Sequence, residues 1–130
     1  MSTTTTGIWP TLTYTDADAG IAWLRAIGFT EKEVHRDSDD PSVVLHAEML
    51  WPAGGGVMLG SHRPHPDWPS RPGHAAAYLV TDDVDGTFAA ALGAGATALR
   101  DPRDEDYGGR GATVSDPEGN LWSFGSYAPA

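Results

Sequence analysis

Apolar and polar residues alternate from Trp9 to Tyr14 and again from Ser42 to Trp51, the period of a half-buried strand. Between those runs Ala17, Ile21, Leu24 and Ile27 recur at helical spacing, and Gly28 stands where a helix end favours a left-handed residue. Thr15 is the candidate N-cap, with Asp18 three residues on as its capping-box partner. Phe29 to Arg36 reads as a second strand and Asp37 to Pro41 as a turn. Pro52 ends the strand that starts at Ser42. Gly54-Gly55-Gly56 is a second turn, and Val57 to Gly60 is a short strand. This half of the chain therefore predicts β-α-β-β-β.

The second half carries the same punctuation. Tyr14-Thr15-Asp16-Ala17-Asp18, an apolar helical run and Gly28 are matched by Thr81-Asp82-Asp83-Val84-Asp85, another such run and Gly95. One offset pairs Asp16 with Asp83, Asp18 with Asp85, Ala22 with Ala89 and Gly28 with Gly95. A repeat this long indicates a duplicated half-domain rather than a solenoid. Ala75 to Val80 reads as a strand. Val84, Phe88 and Ala91 form the stripe of a helix whose opening Asp82 and Asp83 suit the positive end of its dipole. Thr97 to Arg100 is predicted to be a short strand and Asp101 to Gly109 a charged loop. Gly111 to Ser115 and Leu121 to Tyr127 are strands joined by Asp116-Pro117-Glu118-Gly119-Asn120, residues that favour a turn. The expectation is one domain over 1–130, with modules at about 8–60 and 74–127. The connection, 61–73, holds four Pro, two His and Trp68.

Composition narrows the function classes. A chain of 130 residues that is 40% hydrophobic has a core of moderate size. Its apolar runs are too short to span a bilayer, so no membrane association is expected. The opening residues, Met1 to Thr6, form a polar tract expected to fray. They show no charged n-region followed by an apolar stretch, so no secretory signal is expected. The absence of Cys excludes disulfides, thiol catalysis and Cys-ligated zinc, and it fits a cytoplasmic protein. The net charge of −10 gives no basic footprint for nucleic acid; it favours solubility and cationic partners.

Two βαβββ modules, together with the segment Asp116-Pro117-Glu118-Gly119-Asn120-Leu121-Trp122 before the last strand, resemble the vicinal oxygen chelate superfamily. That group includes glyoxalase I, extradiol dioxygenases, fosfomycin-resistance enzymes and bleomycin-resistance proteins. The resemblance runs from Ile8 to Tyr127. It implies an α+β fold in which curved mixed sheets enclose a U-shaped cavity, with helices outside and the cavity commonly completed across a homodimer. It also implies four metal-ligand positions, which fall here on Trp9, Glu48, Ala76 and Ser123. Only Glu48 is a competent donor, whereas a catalytic divalent site generally needs about three carboxylate or imidazole ligands. No metal and no cofactor are therefore expected. A displaced set of His46, Glu48 and His74 is the competing arrangement, but it moves ligands about 6–7 Å along a strand.

Strand period assigns the remaining faces. With Glu48 inward, His46 and Leu50 follow it, and Val43, Leu45, Ala47 and Met49 pack toward the helices. With Trp9 inward, Thr11 and Thr13 follow, while Leu12 and Tyr14 join the core. Ala76, Tyr78, His74, Leu121 and Ser123 complete the inner wall, and Trp122 and Phe124 face the core. Trp68 on the connection and Tyr107 and Arg110 on the late loop are placed at the rim. The other reading of Trp68 is a loop anchor, and that of Arg110 a salt bridge with a neighbouring acid. Such an aromatic wall with few polar points suits a bulky aromatic small molecule. No nucleophile elbow or phosphate-binding loop accompanies it. The expected function is metal-free sequestration of an aromatic natural product or antibiotic. The alternative is a lyase, isomerase or dioxygenase acting with a displaced metal or through Glu48 or His46.

Overall fold

Asp16 and Asp83, the first pair matched by the repeat, do the same local work in the computed structural model, which describes residues 6–129. Each caps a helix: Asp16 Oδ1 accepts the Ala19 N–H at 3.0 Å and opens α1 (Ala17–Ile27), and Asp83 Oδ1 accepts the Gly86 N–H at 3.0 Å and opens α2 (Val84–Gly93). The expected Thr15 cap is thus displaced by one residue. Thr15 instead donates its N–H to the Glu118 carboxylate at 2.6 Å, beside the Asp16 N–H at 2.8 Å. Gly28 and Gly95 end the repeat units with φ of +124° and +110°, a region costly for residues with a Cβ. The Thr-rich start read as a fraying tract lies outside the described residues apart from Thr6.

The fold is α+β, two tandem βαβββ modules. The first contains β1 (Thr11–Tyr14), β2 (Thr30–Arg36), β3 (Val44–Leu50) and β4 (Gly56–Ser61), ordered β1-β4-β3-β2. The second contains β5 (Ala76–Val80), β6 (Thr97–Asp104), β7 (Arg110–Ser115) and β8 (Leu121–Gly125), ordered β5-β8-β7-β6. In each, first and last strands pair in parallel and the other neighbours are antiparallel. No helix among the described residues is long and apolar enough to cross a membrane.

Three local expectations change. The first strand begins at Thr11 rather than Trp9, after Pro10, which has no N–H to give a ladder. The segment expected to be a strand at 97–100 and then a loop is one strand to Asp104, despite Pro102. It lies at the edge of its sheet, where a proline leaves no central ladder bond unmade, and its register slips twice. In β3, Val44 is buried and Leu45 exposed, the reverse of the alternation predicted. His35 pairs with His46 but Arg36 with Val44, so β3 carries an extra residue there, and the bulge turns Leu45 outward with His46.

One hydrophobic core spans both modules. Ile21, Leu24 and Ile27 of α1 and Val84, Phe88 and Ala91 of α2 contribute to it, and the helices touch. Trp23 donates its indole N–H to the Ala91 carbonyl at 3.2 Å, and its ring lies 5.6 Å from that of Trp122. Each module also reaches across from the hairpin between its third and fourth strands. Trp51 donates its indole N–H to the Val80 carbonyl at the end of β5, at 2.8 Å. Asp116 accepts the Tyr14 hydroxyl at the end of β1, at 2.7 Å. Glu118 is the second link from that turn, and Glu118→Ala is expected to cost about 1–2 kcal/mol through loss of two charge-assisted bonds to Thr15 and Asp16. Urea denaturation measures this, and a change below about 0.5 kcal/mol would show that water replaces the carboxylate.

Candidate functional site

The sheet faces opposite the core are half-covered and carry most of the residues selected from the sequence. On the first module, Thr11 and Thr13 from β1, Met58 and Gly60 from β4 and His46 from β3 form the floor of a groove of about 380 Å³. The β3 bulge adds Leu45 to this floor. The Pro-rich connection folds back over the edge and supplies Arg63, His65 and Trp68 as a wall. Trp68 is 60% exposed and therefore free to stack on a ligand ring. It also borders a more open hollow of about 630 Å³ on the connection, which reaches Arg71.

Beside the groove the β2–β3 pair carries charge. His46 Nε2 lies 2.8 Å from Glu48 Oε2, and Lys32 Nζ lies 3.7 Å from Glu48 Oε1. The His46 hydrogen bond holds the Glu48 carboxyl below the usual carboxylate range; partial burial opposes this, and Lys32 adds to it. Bulging of β2 sets Glu33 opposite Glu48, and His35 stacks on His46 with ring centroids 6.2 Å apart. His35 is in turn held by Glu33 at 2.6 Å. These are pairwise contacts. Among the described residues no three His, Asp or Glu side chains converge as metal ligands would. His74 is exposed ahead of β5, and the His46–Glu48–His74 set is not brought together.

Of the residues selected from the sequence, Thr11, His46 and Trp68 meet in the groove, and Glu48 stands behind His46. Trp9 precedes β1, close over Gly56, and donates its indole N–H to the Thr6 carbonyl at 2.9 Å; it does not line the groove. Leu50 is half-buried at the far end of β3. Ala76, Tyr78 and Ser123 share the outer face of the second sheet, where Tyr78 pairs with Ser123 across β5 and β8. Ser123 Oγ is 3.0 Å from Thr113 Oγ1. Tyr78 leans over Gly125 and donates its hydroxyl to the Tyr127 carbonyl at 2.7 Å, and a Cβ on Gly125 would collide with the ring. Tyr78 also borders a cleft of about 220 Å³ beside Trp51. Tyr107 packs edge-on against Tyr127. Arg110 is engaged in the salt bridge that was its other reading: it reaches Asp85 through Nε and Nη2 at 2.7 and 2.9 Å, and Asp104 at 3.3 Å.

Leu45, Met58, Arg63 and His65 were not selected from the sequence. Met58 follows from alternation once β4 is paired. Leu45 depends on the bulge, and Arg63 and His65 on the path of the connection, which no period predicts.

The donor chemistry does not fit the superfamily's metal. The four positions hold Trp9, Glu48, Ala76 and Ser123, and two of these side chains have no donor atom suited to a divalent ion. What the groove offers is a floor that mixes Met58 and Leu45 with the hydroxyls of Thr11 and Thr13 and the His46 ring, and one exposed indole.

Residues 8–124 match the model of the Glyoxalase/Bleomycin resistance protein/Dioxygenase superfamily. CFP32 of Mycobacterium tuberculosis, whose name provisionally makes it a glyoxylase, is 32% identical over 127 residues, which is 97% of this chain and 46% of that protein. The chain thus spans about half the length of the curated relatives it matches over most of its residues. The crystal structure of TioX from Micromonospora sp. ML1 superposes with a TM-score of 0.72 at 28% identity, covering 94% of this chain and 100% of that one. A bleomycin resistance determinant encoded on transposon Tn5 shares the fold at a TM-score of 0.63 and 19% identity, covering 96% and 100% of the two chains.

Proposed function

We propose, from the premise that this chain belongs to the Glyoxalase/Bleomycin resistance protein/Dioxygenase superfamily, that it is a binding protein which sequesters a bulky aromatic natural product or antibiotic without a metal. The observation that carries this reading is the replacement of the family's donor set by Trp9, Ala76 and Ser123, with Glu48 the sole competent donor left. The exposed Trp68 ring beside a groove that also presents Leu45 and Met58 supports it, because stacking asks for a planar ligand and little else. The protein works as a homodimer in this proposal. The outer face of the second sheet carries the exposed Tyr78 and Leu121, and a partner's groove would cover it. Light scattering at micromolar concentration is expected to give twice the chain mass, and a monomer would remove this part.

Trp68→Ala is expected to weaken a polycyclic aromatic ligand by about 1–3 kcal/mol, roughly 5- to 150-fold, from lost aromatic contact. Trp23, Trp51 and Trp122 are buried and Trp9 is partly so, so quenching of the parent by a panel of polycyclic antibiotics reports most strongly on Trp68, and calorimetry follows binding in the variant. Binding that a chelator abolishes and a divalent ion restores would overturn the metal-free reading. Ligand recovered unchanged after long incubation supports sequestration. The His46–Glu48 hydrogen bond is what favours an enzyme instead, since it would orient a general base at the groove. A new product lost in His46→Gln would establish that alternative.

A further inference from the structure

Six of the eight Lys and Arg residues are committed to ion pairs. Arg25 meets Glu31, Lys32 meets Glu48, Arg36 meets Asp18, Arg100 and Arg103 share Glu105, and Arg110 holds Asp85 and Asp104. The two left over, Arg63 and Arg71, have no carboxylate within ion-pair distance among the described residues, although acids outnumber bases 18 to 8 in the chain. Both lie on the connection, on either side of Trp68. Arg63 lines the groove and Arg71 the adjoining hollow, and Trp68, His65 and Ser70 border both spaces.

The histidines there are poised as donors or left unpaired. His65 Nδ1 accepts the Asp67 N–H at 3.1 Å, which places the ring proton on Nε2 as a donor. His62 Nδ1 is buried without a hydrogen-bond partner, a state that a ligand's polar group or a water it carries would relieve. Asp67, the one acid on this segment, is 90% exposed; its Oδ2 lies 4.0 Å from His65 Nδ1, on the opposite side of the ring from Nε2, and it makes no ion pair with either arginine.

We propose that the Trp68 site takes a planar aromatic carboxylic acid, its ring stacked on Trp68 and its carboxylate held by Arg63 and Arg71 with His65 donating. In a chain of net charge −10 a ligand chosen by the overall field would be cationic. The locally unpaired guanidinium groups reverse that preference, because Arg presents a fork that matches a carboxylate's two oxygens. This inference rests on the aromatic-binding reading above and adds a charge to the ligand.

Three probes with the same ring system separate the possibilities: 2-naphthoate, 2-naphthamide and 2-naphthylmethylammonium, each titrated calorimetrically at low ionic strength. Naphthoate is expected to bind roughly 5- to 10-fold more tightly than the amide, a margin that high salt erodes. Arg63→Gln with Arg71→Gln is expected to abolish the margin by weakening naphthoate far more than the amide. Neither arginine has a structural ion pair to lose, so the doubly substituted protein should keep the parent's circular dichroism. Equal binding of naphthoate and naphthamide, lost in Trp68→Ala, would overturn the carboxylate proposal while leaving the aromatic reading intact. Preference for the ammonium probe would overturn it in favour of the global field. Failure of all three to bind would remove both readings.

Discussion

Replacing Asp116 with Ala is expected to lower the unfolding free energy by about 3–5 kcal/mol, the range for breaking a buried charged hydrogen-bond network. Asp116 is buried and serves five donors. Its Oδ2 accepts from the Tyr14 hydroxyl, the Asn120 amide and the Trp122 indole at 2.7, 3.0 and 3.1 Å. Its Oδ1 accepts the backbone N–H groups of Glu118 and Asn120, both at 3.0 Å. Truncation strands four of these donors where little water reaches, and the Glu118 N–H at a half-buried position. The Tyr14 hydroxyl is kept as a donor in this network: burial, and then the Asp116 charge, push it well above the usual tyrosine value. Tyr14→Phe removes one donor and should cost only about 1–2 kcal/mol. Urea denaturation distinguishes the two. An Asp116→Ala protein within about 1 kcal/mol of the parent would mean that the network is not what holds the two modules together.

Trp122→Ala is expected to cost about 3–5 kcal/mol, as large-to-small changes of buried aromatics do. Trp122 is fully buried, 5.6 Å from Trp23 and 6.0 Å from Phe29 by ring centroids. Both neighbours belong to the first module, so the cavity would open at the junction rather than inside one half. Trp122→Phe keeps most of the contact and should cost about 1–3 kcal/mol, with part of that from the lost bond to Asp116. Because one core spans the modules, the parent should unfold in a single transition by tryptophan fluorescence and far-ultraviolet circular dichroism alike. Two separated transitions in the parent would contradict the shared core. In Trp122→Ala the groove should lose its ligand together with the fold, which separates this effect from that of Trp68→Ala, where only binding falls.

The repeat was legible because its signals are local. An aspartate that caps a helix, a glycine that ends it and an apolar stripe between them each act within a few residues, so Asp16 and Asp83, and Gly28 and Gly95, declare two copies of one unit. Burial of Leu12, Tyr14, Trp122 and Phe124 followed from strand alternation in the same way. Local signals were also where the reading slipped by one position. Thr15 and Asp16 are both good caps, and it is the Asp16 side chain that reaches the Ala19 N–H, while the Glu118 carboxylate, a hundred residues away, accepts the N–H of both. The charged run from Asp101 read as a loop, and the place of β6 at a sheet edge lets the strand run on through Pro102.

The sequence by itself determined the duplicated βαβββ plan and most core faces of its strands, because each depends on residue type at a short-range period, and the family resemblance it carries put Trp9, Ala76 and Ser123 at three of the four ligand positions. The tertiary structure decided which of the candidate residues meet. The bulge at Leu45 reverses part of β3, the connection carries Trp68, Arg63 and His65 to the groove, and Arg110 is drawn to Asp85 instead of a cavity rim. Those outcomes turn on register, chain path and the competition among distant charges, and each of these is set by contacts between residues far apart in the chain.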